Sequence, residues 1–75
     1  MSVEDVVDSL VDASKRLIDE SPNGIVDGDD VAREIGRDPF DSEVKAAFEL
    51  IGRRGLLKVD SQGGDSKLPH AVQLA

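Results

Sequence analysis

IVDGDDVAREIGRDPFDSEVKAAFELIGRRGLLKV, residues Ile25–Val59, is the stretch that decides the fold. Asp27 is placed to accept the first free amides of a short helix running to Ile35. Asp30, at its third position, completes a capping box. Val31, Ala32 and Ile35 give that helix an apolar edge, and Gly36 supplies the positive φ that ends it cheaply. Arg37 to Asp41 read as a turn in which Asp38 can cap and Pro39 suits a first helical position. The longer helix that follows runs to about Arg54. It buries Val44, Ala47, Phe48 and Ile51, carries Leu50 at its flank and turns Glu43, Lys45, Ala46, Glu49 and Arg53 outward. Arg53 and Arg54 stand where the helix dipole favours cations. Gly55 closes the helix, and a strand opens at Leu56-Leu57.

On the amino-terminal side, Ser2 with Asp5 three residues later reads as a capping box opening a first helix. Val3, Val6, Val7, Leu10, Val11, Ala13, Leu17 and Ile18 form one apolar stripe on it, with the charged residues opposite. Ser21-Pro22-Asn23-Gly24 breaks this helix, and Ile25-Val26 is a very short extended piece. On the carboxyl-terminal side, Leu57 and Val59 alternate with Lys58 and Asp60. Ser61 to Lys67 read as a flexible, glycine-containing hairpin tip. His70, Val72 and Leu74 then share the parity of a returning strand, with Ala71 and Gln73 on its other face.

Seventy-five residues suit a single domain, 1–75, burying roughly 60% of its unfolded surface. With 39% apolar and 33% charged residues the chain has the composition of a globule. The absence of cysteine removes disulfides, thiolate metal sites and cysteine nucleophiles together. No apolar run approaches the roughly 20 residues of a membrane span, and the acidic start MSVEDVVD lacks the basic opening of a secretory signal. A cytoplasmic, membrane-free protein is the expectation. Charge is unevenly placed. Residues 1–30 hold nine acids against Lys15 and Arg16, whereas residues 31–75 hold seven of each sign, so the net −7 lies wholly in the first part.

The pattern D-V-A-R-E-I-G at 30–36, then V-K-A-A-F-E-L-I-G-R-R-G-L-L at 44–57, then a hairpin, resembles the winged-helix superfamily of bacterial and archaeal regulators. With the first helix included, the resemblance covers nearly the whole chain. It implies an α+β winged helix: three helices containing a helix-turn-helix, followed by a two-stranded β-hairpin wing. The turn departs from the family pattern: Arg37 stands where an apolar residue usually follows the glycine, and Phe40 is the residue expected to fill that place. The family places the third helix in the DNA major groove. Transcription regulation through double-stranded DNA is the implied function. Ser42 and Lys45 would then approach bases or phosphates, and Arg37, Arg54, Lys58 and Lys67 the backbone. Arg33 and Arg53 complete the basic residues of this region.

Other chemistries weigh less. Asp19, Ser21, Asn23, Asp27 and Asp30 fall at positions 1, 3, 5, 9 and 12 of a calcium loop. Against that reading, Pro22 stiffens the loop, the last ligand is a short Asp, and helix capping already accounts for Asp27 and Asp30. His70 is the only histidine and is expected at a strand edge, partly covered. No nucleophile motif accompanies it, and the carboxylates are spread along an outer helical face, so neither an enzyme nor a cofactor is expected. The rival function is an acidic winged-helix module for protein–protein interaction, taking a basic partner or forming a homodimer through the first helix, without DNA. The net charge and the two glutamates on the reading helix motivate it.

Overall fold

A computed structural model describes residues 2–60 and 68–75. Three helices, α1 (Val3–Glu20), α2 (Gly28–Glu34) and α3 (Ser42–Arg54), precede two strands, β1 (Leu57–Val59) and β2 (Val72–Leu74). This is the α+β layout of a helix-turn-helix followed by an antiparallel strand pair, the winged-helix class. The expected hairpin tip, Ser61 to Lys67, lies outside the described residues.

Each helix starts on an oxygen-bearing side chain. The Asp5 amide donates to Ser2 Oγ at 3.3 Å, Asp29 to Asp27 Oδ1 at 2.9 Å, and Glu43 to Asp41 Oδ1 at 2.9 Å. Asp30 turns to Arg33, 3.4 Å away, rather than completing a box at the start of α2. The two later helices close with the same pair of bonds. Gly36 N–H donates to Arg33 O and Arg37 N–H to Ala32 O, while Gly55 N–H donates to Gly52 O and Leu56 N–H to Ile51 O. With Gly36 at φ +75° and Gly55 at φ +68°, these are left-handed caps that satisfy the last carbonyls.

The turn between α2 and α3 corrects the sequence reading. Asp38 caps no helix: its Oδ1 accepts the Phe40 amide at 2.8 Å, and Asp41 N–H donates back to Asp38 O at 3.0 Å. Pro39 and Phe40 are thereby held in a closed turn, and α3 starts at Ser42 on the Asp41 cap. Phe40 does not fill the apolar place after the glycine; its side chain points outward, 80% exposed. Arg37 is the covered residue there, its side chain only 21% exposed.

The interior joins all five elements. Val6, Val7, Leu10 and Ala13 of α1 meet Val31 and Ala32 of α2, Val44, Ala47, Phe48 and Ile51 of α3, and Leu57 and Val72 of the strands. α1 packs against α2, α3 and β2, and α3 packs against β1. Ser14 is also buried in α1, and its Oγ has no hydrogen-bond partner among the described residues.

β1 and β2 pair in the register Leu57↔Leu74, Lys58↔Gln73 and Val59↔Val72. Val72 is bonded on its other side too: Val26 N–H donates to Val72 O at 3.0 Å, and Val72 N–H to Val26 O at 2.7 Å. The short extended piece before α2 is thus a third edge of the sheet, with β2 in the middle. Just ahead of β2, Leu68 is buried against the core, and Pro69 O accepts the Gly28 amide at 2.9 Å. A Cβ on Gly28 would sit 2.6 Å from that oxygen, so only glycine lets the two segments touch. His70 corrects a second expectation. Strand pairing begins at Val72, the chain bends at His70 after the buried Pro69, and the imidazole is exposed.

Candidate nucleic-acid interface

At about 100° per residue, burial of Val44, Ala47, Phe48 and Ile51 leaves Ser42, Ala46, Glu49 and Arg53 as the opposite row of α3. Lys45 lies beside that row and is half-buried. β1 runs along the carboxyl-terminal half of α3, so Phe48, Glu49, Gly52, Arg53 and Val59 line a shallow groove between helix and strand. The approach is close: a Cβ on Gly52 would come within 2.9 Å of Val59 Cγ2. Lys58 projects from β1 on the face opposite Leu57 and is exposed.

The residues expected at a DNA surface divide into two groups. Ser42, Lys45 and Lys58 stand on α3 or β1 as anticipated, whereas Arg37 and Arg54 are engaged by carboxylates of the chain itself. Arg37 Nη1 is 2.9 Å from Asp41 Oδ2 and 3.4 Å from Glu43 Oε1. Hydrogen bonding to Asp41 first raises the Arg37 pKa above its ordinary value, with Glu43 adding to the effect. Asp41 is lowered, chiefly by the Glu43 amide and then by Arg37. Arg54 grips Glu4 with both terminal guanidinium nitrogens, Nη1 and Nη2, at 2.9 and 2.8 Å, which lowers the Glu4 pKa and raises that of Arg54. Lys67 lies outside the described residues.

Arg53, like Arg33, is a basic residue of this region that the sequence reading did not carry into the expected site. Arg53 stands on α3 itself. It is exposed, makes no ion pair among the described residues, and ends the outward row of α3. Its spacing of four from Glu49 and seven from Ala46 was the available signal.

The calcium-loop residues are otherwise employed. Asp19 lies in the last turn of α1, Ser21 Oγ donates to Asn23 Oδ1 at 2.8 Å, and Asn23 Oδ1 also accepts the Ile25 amide. Asp27 caps α2 and Asp30 pairs with Arg33. Among the described residues no three His, Asp or Glu side chains gather as a metal site. No helix of the described residues is long and apolar enough to cross a membrane.

No family model, curated protein or solved structure matches the chain.

Proposed function

We propose that the chain is a non-enzymatic, cytoplasmic winged-helix domain of transcription-regulator type that binds double-stranded DNA through α3. The observation that carries this reading is the outward row of α3 set beside β1, a rod of the width a major groove admits. Ser42 and Ala46 approach base edges, Lys45 and Arg53 reach bases or phosphates, and Lys58 meets the backbone beside the helix. Arg37 serves the interface indirectly, by neutralising Asp41 and Glu43 where the helix begins. Few cations face outward, so the affinity is modest and the salt slope shallow, about −0.9 in log K against log salt for each phosphate contact.

Fluorescence anisotropy with mixed-sequence duplex DNA at low salt tests the reading. Binding in the micromolar range, weakened by Arg53→Ala and by Lys45→Ala, is the expected result. No binding at several hundred micromolar (about the upper limit of non-specific association) would overturn it.

A second reading has its own support. Arg37 and Arg54 are committed to carboxylates within the chain, and Glu49 stands on the outward row of α3. An acidic winged helix that binds proteins and not DNA has no need of free arginines. Failure of the duplex titration combined with capture of a protein on α3 favours that reading.

A further inference from the structure

We infer that the outward face of α1, beside Leu56 and Leu74, is a docking groove for a basic amphipathic helix. This goes beyond the DNA reading and uses a different surface. Two concavities abut along α1. One lies against Leu56 and is lined by Asp8, Val11, Asp12 and Lys15. The other lies against Leu74 and is lined by Lys15, Ile18 and Asp19. Leu56 is 43% exposed and Leu74 56% exposed, although their strand neighbours Leu57 and Val72 are buried. Val11 is only partly covered. These side chains form an apolar floor alongside α1.

The rim decides the occupant. Asp8, Asp12 and Asp19 make no ion pair among the described residues, and Lys15 is the one cation lining either concavity. A second copy seated on its own equivalent would bring two such acidic rims together, which like-charge repulsion opposes. A partner with Lys or Arg beside its apolar stripe meets the carboxylates and covers the leucines at once. From Asp8 to Asp19 the groove runs about 16 Å at helical rise, the length of three turns. An elongated apolar floor between a helix and strand residues suits a rod, with anchors at i, i+3 or i+4, and i+7.

Amide-shift titration of the labelled chain tests this with a helical leucine–lysine peptide of about five turns. A leucine–glutamate peptide of the same pattern is the control. The lysine peptide is expected to move the amides of Val11, Lys15, Leu56 and Leu74, leaving Ala46 and Arg53 in place. Replacing Leu56→Gln and Leu74→Gln together, both at exposed positions, should weaken binding about tenfold or more, with the helical circular-dichroism signal unchanged. Asp8→Lys with Asp12→Lys should weaken it similarly. Equal binding of the two peptides, shifts centred on α3, or no binding of the lysine peptide overturns the inference. So do concentration-dependent shifts of the same four residues without peptide, accompanied by a dimeric mass, because a second copy would then be the occupant.

Discussion

The outer faces of α1 and α3 look alike as helical wheels and differ in what surrounds them. Both helices bury one stripe in a shared interior and turn charge outward. At the two ends of α3 carboxylates are answered from within the chain, Asp41 and Glu43 by Arg37 and Glu4 of α1 by Arg54, while Glu49 on its outward row makes no ion pair among the described residues. On α1, Asp12 and Asp19 make no ion pair among the described residues, Asp8 meets Arg54 only through longer-range attraction, and exposed leucines lie beside them. The outward row of α3 thus carries the one carboxylate of Glu49 beside Lys45 and Arg53, whereas Asp8, Asp12 and Asp19 rim the concavities on α1. A net charge of −7 describes neither.

The most severe way to break the comparison is to remove what both faces stand on. Phe48 is 2% exposed, at the junction of α3 and α1. Phe48→Ala should cost about 3–5 kcal/mol in urea unfolding, most of the stability of so small a domain, and abolish both binding activities together. Gly28→Ala is narrower. Its methyl would press on Pro69 O, and the segment leading into β2 must shift, for about 1–3 kcal/mol. Thermal unfolding should reveal that loss while the circular-dichroism signal of the helices is retained below the transition.

A cleaner separation comes from surface changes. Lys45→Ala with Arg53→Ala should reduce the magnitude of the DNA salt slope by about 2, and Leu56→Gln with Leu74→Gln should leave it unchanged. If both pairs weaken DNA binding equally, the two faces are not functionally distinct. Ser14→Ala removes an unpartnered hydroxyl from beneath α1, and denaturant melting should show a gain of up to about 1 kcal/mol.

The smallest effect is a pH dependence from the carboxylates paired at the two ends of α3, Asp41 at its start and Glu4 of α1 at its end. Glu4 and Asp41 both have folded pKa values below their ordinary ones. Their contribution to stability is present above the ordinary carboxylate range and is lost as pH falls through the folded values. Glu4→Gln should flatten the acid limb of the stability curve slightly; an unchanged limb would mean that the Arg54 pair contributes nothing in solution.

Local chemistry made much of this legible from residues alone. α1 and α3 follow from helical spacing, and the caps at Ser2 and Asp27 and the stops at Gly36 and Gly55 follow from side-chain and backbone preferences acting within a turn. Between Arg37 and Asp41 the sequence reading put the cap at Asp38, whereas Asp41 caps α3. Asp38 is drawn instead to the Phe40 amide, while Asp41 also pairs with Arg37. The Arg54–Glu4 pair spans 50 positions and leaves no trace in local pattern. Nor does the Gly28–Pro69 contact, which is why a glycine in the first turn of α2 signalled nothing by itself. The candidate site was readable as a helix face. That Arg37 and Arg54 pair with carboxylates of the chain was a tertiary matter.

The position of β2 has a consequence for synthesis. Val72 joins Val59 on one side and Val26 on the other, and Leu68 enters the interior just before it. A nascent chain emerging from the ribosome can form its helices early and lay β1 on α3, but among the described residues β1 and Val26 have no strand partner until residues 68–74 have cleared the exit tunnel. β2 follows every other described element in chain order and ties β1 to Val26, and until it arrives the earlier segments remain exposed to chaperones and proteases.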